Sequence, residues 1–388
     1  MSEIKVNSIK GVGASSAAIT VNNSDGTCTA NITNNLSNRN LVINGAMLVA
    51  QRGTSSTISG YGTVDRMNQH SGGTDEAPTF AQVDVAAGTT PYTLGFRKAI
   101  KITNGNQTSG AGTSDYVYVQ TILEGQDIAN SGWNYLSASS YITISYWIKS
   151  SVAQNFYGLI TSSDGTAQAY VWETGSLSAD TWTKITKTIP GNSNLTFDND
   201  NGAGMYFSPV RAFDGTARTG SMSLNSWAPY SGSARTPDQT STWYTTNDAT
   251  LEITGVQLEV GSVATDFEHR SYGQELALCQ RYCQKLGASN GTYDCMGTGN
   301  AISSGYGFVP YRLLRTMRAT PSFTLLGAAS DFNYTRDGGD HAPTAIVLDQ
   351  AGKNMVAVKM TGTSLNNDDA IRLFNMNTTG GYLFTAEL

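Results

Sequence analysis

Charged side chains are scarce in this chain. Asp, Glu, Lys and Arg make up 14% of its 388 residues, against about a quarter of an ordinary globular protein. The formal net charge is −6, which argues against a partner held by its phosphate backbone, since such binding needs a surplus of Lys and Arg. Long apolar runs are missing as well. None approaches the roughly 18 residues of a membrane-spanning helix, and no basic amphipathic stretch suggests a membrane surface. Neither nucleic acid binding nor membrane insertion is therefore expected. The opening MSEIKVNSIK sets Glu3 and Lys5 among the first apolar residues, unlike a secretory signal. The expectation is a chain made and folded in a cytosol.

Cysteine and histidine are also few. Cys28, Cys279, Cys283 and Cys295 are too sparse and uneven for a disulfide framework and read as small hydrophobes. His70, His269 and His341 lie far apart, without zinc-like spacing. There is no Gly-x-Ser-x-Gly elbow and no phosphate loop with a Lys. Glycan-cleaving enzymes need two carboxylates across a bond. The candidates Glu124, Asp127, Glu173, Asp180, Glu252 and Glu259 are not paired by any spacing and read as turn and strand-end residues. No catalytic residue is assigned, and the chain is expected not to be an enzyme.

What is present is apolar and polar sequence in short alternation. Hydrophobic residues make up 39% and aromatics 10%, enough to fill cores, and the 41 glycines punctuate strand-sized runs. That pattern predicts an all-β protein. Tyr116 to Ile122 and Tyr141 to Lys149 read as strands, the second with Ile142, Ile144, Tyr146 and Ile148 on one face. Leu251 to Val260 alternates with Glu252, Thr254, Val256, Leu258 and Val260 as its half-buried set. Turns fall at Asn23-Ser24-Asp25-Gly26 and Asp337-Gly338-Gly339-Asp340.

Four units follow: residues 1–40, too poor in large apolar side chains to fold alone; a jelly-roll β-sandwich over 41–270; a connecting helix over 271–287; and a smaller C-terminal β-sandwich over 288–388. The helix begins with Ser271 as N-cap and Gln274 completing a capping box. Its Leu276, Cys279, Cys283 and Leu286 have a heptad-like spacing, suited either to packing on a β domain or to lining an oligomer axis.

Two kinds of site can be picked out. Tryptophan and tyrosine rings suit the flat C–H faces of sugars. Trp133, Tyr135, Trp172, Trp227, Tyr230, Trp243 and Tyr244 sit among Gly, Ser, Thr and Asn and are the carbohydrate-binding candidates, with interface packing as the competing reading. Trp147 and Trp182 lie in strands and read as core. Asp198 and Asp200 place oxygens close together on one loop, a candidate calcium site that competes with plain loop solvation. No other cofactor is expected.

Asn40-Leu41-Val42-Ile43-Asn44-Gly45-Ala46-Met47, Val49-Ala50-Gln51-Arg52-Gly53-Thr54, Thr63-Val64-Asp65-Arg66 and Leu123-Glu124-Gly125-Gln126-Asp127 resemble tail-fibre proteins of marine, cyanophage-like bacteriophages. The resemblance is strongest from Ile253-Thr254-Gly255-Val256-Gln257-Leu258-Glu259 through Phe267-Glu268-His269-Arg270-Ser271 to Arg281-Tyr282. It covers roughly residues 40 to 286, with echoes at Ser2 to Asn7 and in the closing Ala386-Glu387-Leu388. The chain departs from the pattern at Leu48, Met67 and Asp266. The resemblance implies a virion appendage protein, commonly trimeric, with a carbohydrate-binding-like jelly roll. The resulting expectation is a homotrimeric tail fibre. Residues 1–40 would attach it to other tail or particle proteins, and its β domains would meet a host-surface glycan. The alternatives are a tailspike depolymerase and an architectural head, neck or adaptor fibre.

Overall fold

The structure, a computed structural model, describes the chain from residue 38 to its end apart from 239, 289–292, 337 and 364. Before that it describes residues 6–12, 17, 19–21, 24 and 28–30. The turn expected at 23–26 falls largely outside the described residues, as does Asp337 of the turn at 337–340.

The protein is all-β. Two six-stranded antiparallel sheets face each other in a jelly-roll sandwich. One runs, edge to edge, Trp227–Pro229, Gln168–Ser176, Asn155–Ser162, Ala203–Asp214, Tyr116–Glu124 and Asn68–Gly72. The other runs Thr183–Pro190, Tyr141–Ser150, Thr250–Val260, Lys98–Thr103, Thr79–Asp84 and Ser55–Ser56. Alternation drives this pairing. Ile142, Ile144, Tyr146 and Ile148 all enter the core, and opposite them Ile185 pairs with Tyr146 and Ile189 with Ile142. From the facing sheet come Val117, Val119, Phe156, Ile160, Trp172 and Phe207. Each such side chain contributes about 1.5–3 kcal/mol by leaving water.

Strand Thr250–Val260 departs from the simple alternation. Gly255 has φ +64°, and the pairing with Tyr141–Ser150 shifts register between Thr254 and Gln257. The bulge switches the inward phase, so Leu251 and Ile253 before it and Val256 and Leu258 after it all reach the same core. Of the half-buried set predicted for this strand, Val256 and Leu258 enter this core, Thr254 is buried outside it and Val260 is exposed.

A second core lies between a seven-stranded and a three-stranded sheet and includes Met296, Val309, Phe332, Tyr334, Val358, Leu373, Tyr382 and Phe384. Between the two sandwiches sits helix Tyr272–Cys279. Its capping box forms as expected: Ser271 Oγ accepts from the Gln274 N–H, and the Gln274 side chain accepts from the Ser271 N–H. The helix is shorter than predicted. It ends at Cys279, and Cys283–Gly287 is a strand paired with Gly381–Thr385. The edge of a distant strand supplies ladder bonds that outcompete the helix, so the Leu276-to-Leu286 seam does not exist as one helical face. Cys279 and Cys283 are buried and unbridged, and burial pushes both thiols up in pKa.

Near the start of the chain, Ser8–Ile9, Ile19–Val21 and Cys28–Ala30 form a three-stranded antiparallel sheet. Its surroundings leave Val6, Ile9 and Val12 exposed. No helix among the described residues is long and apolar enough to cross a membrane.

Candidate functional site

Most of the expected sugar-stacking aromatics are core residues. Trp172, Trp243 and Tyr244 are fully buried and Trp133 is 3% exposed. Their polar ends are used internally. Trp172 Nε1 donates to the Tyr146 hydroxyl at 3.2 Å, Trp243 Nε1 to the Thr250 carbonyl at 3.1 Å and Trp133 Nε1 to the Ser140 carbonyl at 3.3 Å. Tyr244 donates to Asp115 at 2.9 Å and stacks on Phe213 with centroids 4.1 Å apart. A short helical turn, Thr242–Thr245, aims Trp243 and Tyr244 inward, so their polar sequence surroundings misled. Trp172 fits because Gly158 lies beneath it: a Cβ there would come within 2.1 Å of the indole. These four are corrected to structural residues.

The remaining three are nearer the surface. Tyr135 is half-buried, edge-on to Phe197. Trp227 is half-buried against Tyr170, with Nε1 donating to the Pro190 carbonyl at 2.7 Å. Tyr230 is exposed and borders a groove of about 320 Å³ on the outer face of the first sheet.

That groove follows from strand parity. Val117 and Val119 face the core, so Tyr116, Tyr118 and Gln120 face outward. Register then lays a row across three strands, with His70 opposite Tyr118 and Tyr118 opposite Arg211. His70 stacks on Tyr118 with centroids 4.5 Å apart, and the Arg211 guanidinium lies 3.8 Å from the Tyr118 centroid. Arg211 is locked in place by Asp214, which accepts from Nε and, at 2.6 Å, from a terminal nitrogen. Strand Ala203–Asp214 carries Pro209, tolerated where the ladder to Tyr116–Glu124 shifts register between Phe207 and Val210. Tyr206 and Tyr230 complete the aromatic lining, and the segment leading to Arg235 closes one side.

The electrostatics of the groove are one-sided. Its lining includes Arg211 and Arg235 and no acidic residue. Arg218 lies 3.8 Å from the Tyr116 centroid. Burial, and then Arg211, Arg235 and Arg218, push the His70 imidazole down to about 4, leaving it neutral near pH 7. Among the described residues His70 Nε2 and Arg235 Nε are buried without a hydrogen-bond partner. A larger recess of about 680 Å³ beside the helix includes Arg39, Glu268 and Arg270. There the charges answer one another: Arg270 lies 3.6 Å from Glu268 and 3.4 Å from Glu275, and Arg39 3.5 Å from Glu259.

The carboxylates singled out in the sequence serve as structural acceptors where their partners are seen. Glu124 receives Arg281, Tyr282 and Gln126, Glu252 pairs with Lys149 at 2.9 Å, and Glu259 receives the Thr265 N–H and hydroxyl. At the candidate calcium loop, Asp200 accepts from the Gly202 N–H at 2.8 Å, and the Asp198 N–H donates to Asp164 at 2.9 Å. Among the described residues no three His, Cys, Asp or Glu side chains converge as metal ligands would.

No protein-family model and no curated protein matches the sequence. Among solved structures, the enzymatically active domain of tailspike protein 4 of bacteriophage CBA120 aligns at 9% identity and a TM-score of 0.30, over 57% of this chain and 21% of that one. A CBM22 xylan-binding domain from Paenibacillus barcinonensis aligns at 10% identity and a TM-score of 0.26, over 56% of this chain and 96% of that one. A family 11 carbohydrate-binding module from Clostridium thermocellum aligns at 16% identity and a TM-score of 0.24, over 56% of this chain and 98% of that one. The chain thus spans about a fifth of the length of the tailspike domain it matches.

Proposed function

We propose that this chain is a structural subunit of a phage fibre that holds a host-surface glycan in the outer-sheet groove without cleaving it. The observation that carries this reading is the groove itself. Tyr206 and Tyr230 offer rings and Gln120 and Arg235 offer donors, over a floor formed by the buried Tyr118 between His70 and Arg211. Sugars are bound by such pairings of apolar ring face and polar edge. Each contact is weak, and repetition over several copies raises the avidity. The small N-terminal sheet, with Val6, Ile9 and Val12 exposed, supports a segment completed by sister chains in a trimer or by other particle proteins. The tail-fibre resemblance of residues 40 to 286 supports the virion assignment.

The test is binding of the full-length chain to purified host-surface polysaccharide, with a Tyr206→Ala/Tyr230→Ala variant alongside. The expected result is retention by the native protein, loss in a variant that melts normally, and no release of reducing sugar. Equal retention of both proteins overturns the groove assignment, and sugar release moves the chain to the depolymerase reading. Light scattering is expected to give three chain masses, and a stable monomer contradicts the trimer. Antibody labelling of intact particles is expected on the tail. Label on head or neck favours the architectural reading.

A further inference from the structure

The groove carries more positive charge than its own structure uses. Arg211 is matched by Asp214. Arg218 donates from Nε to the Ser114 carbonyl at 3.4 Å and lies over Tyr116. Arg235 lies 6.0 Å from the Tyr230 centroid, with its Nε buried and unsatisfied. The backbone brings these last two together: the Arg235 N–H donates to the Arg218 carbonyl at 2.7 Å, and Thr219 bridges Thr236. Among the described residues neither guanidinium has a carboxylate within ion-pairing distance, and the groove lining has none to offer. In a chain whose formal charge is −6, Arg235 in the groove lining and Arg218 beside it over Tyr116, neither answered by a carboxylate, form a local exception. His70, kept neutral beside them, presents a buried ring nitrogen that also has no partner among the described residues.

We infer that the glycan taken by this groove is anionic, with a carboxylate or sulfate group on the sugar seated between Arg218 and Arg235 while its ring stacks on the tyrosines. The inference rests on the glycan-binding reading above and narrows its ligand class. Guanidinium forks match the planar geometry of carboxylates and the oxygens of sulfate esters, and among the described residues neither of these two forks is taken up by a carboxylate of the chain. A nucleic acid fits less well, because the acidic chain as a whole repels a continuous phosphate backbone.

The experiment titrates the full-length chain with polygalacturonate and chondroitin sulfate as anionic probes, xylan and mixed-linkage glucan as neutral ones, and oligo-dT as a polyanion without anionic sugars. The expected result is binding of at least one anionic polysaccharide about tenfold or more tighter than either neutral polymer. That binding should weaken as salt rises through the range where the screening length falls below about 10 Å. Arg218→Gln and Arg235→Gln should each lose most of the preference and flatten the salt dependence while melting normally. The carboxylate and sulfate arms tell the two ligand sources apart. Equal binding of neutral and anionic polymers, unchanged by Arg235→Gln, overturns the charge inference and leaves glycan binding standing. Binding of oligo-dT as tight as that of the polysaccharides also overturns it. Binding of none of these polymers, with host polysaccharide also unbound, takes both readings down together.

Discussion

Arg281 grips Glu124 with two nitrogens, Nε at 2.8 Å and a terminal nitrogen at 2.7 Å, across 157 positions of sequence. Glu124 ends a strand of the first sandwich, and Arg281 follows the helix that leads into the second. The Tyr282 hydroxyl donates to the same carboxylate at 2.5 Å. Burial alone would raise the Glu124 pKa, but the bonds from Arg281 and Tyr282 outweigh it and hold the carboxyl below its ordinary range. Arg66, whose guanidinium lies 3.5 Å from the Tyr282 centroid, pairs with Glu387, as does Arg52 at 2.9 Å.

Glu124→Gln keeps the shape of this joint and removes its charge. Breaking one partner of a fully buried pair costs about 3–5 kcal/mol. Arg281 is a third exposed, so solvent screening reduces the expected loss to roughly 1–3 kcal/mol. Calorimetry is expected to show a lower melting temperature and a separation of the two sandwiches' transitions. A single unshifted transition would mean the joint is held by something else. Because the native carboxyl lies below its unfolded value, its contribution is present above the unfolded pKa and is lost as pH falls through the folded one.

His70 predicts a pH dependence of its own. Its pKa falls to about 4 in the folded protein, against about 6.5 unfolded. Between those values the unfolded chain binds more protons, so stability declines as pH is lowered from about 6.5 to 4 and is flat above. The total is at most about 3.5 kcal/mol, at roughly 1.4 kcal/mol per pH unit. Chemical denaturation of the native protein and His70→Gln at pH 7 and pH 5 is expected to give a smaller drop for the variant. Identical drops would show that the imidazole is not shielded.

Trp172 and Tyr230 should separate core from surface. Trp172→Ala leaves a large cavity above Gly158 and costs about 3–5 kcal/mol. Tyr230→Ala changes stability by about 0.5 kcal/mol or less, as surface changes do, and weakens glycan retention. Thermal melts beside retention assays check both. A Tyr230→Ala variant that melts early and binds normally would reverse the two roles.

Calcium removal is expected to leave the melting temperature unchanged. The loop at Asp198 and Asp200 is already tied by the Gly202 N–H and by the Gln126 N–H donating to the Asp200 carbonyl at 2.8 Å. A rise of several degrees on adding calcium to chelator-treated protein would restore this loop as a metal site.

Local features were legible in the sequence. The alternation of Ile142, Ile144, Tyr146 and Ile148 announced their shared face, and Ser271 with Gln274 announced the helix start, because both signals lie within a few residues. The helix end at Cys279 was not legible, since its competitor, the edge of Gly381–Thr385, lies about a hundred positions away. The phase change in Thr250–Val260 turns on Gly255, whose left-handed φ the alternation alone does not reveal. The groove was half legible. Tyr116, Tyr118 and Gln120 alternate with Val117 and Val119, which marks an outward tyrosine face, whereas His70, Arg211, Arg218 and Arg235 meet there only through strand order and a long loop. Attention to tryptophan favoured rings whose N–H groups the core had already claimed.

The joint between the sandwiches has a mechanical consequence. Arg318 spans it, with terminal and Nε nitrogens donating to the Asn201, Ala386 and Glu387 carbonyls at 2.7–2.9 Å, so the two halves meet through interlocked side chains instead of a slack tether. A sideways tug on anything gripped by the first half is passed on as torque to the second.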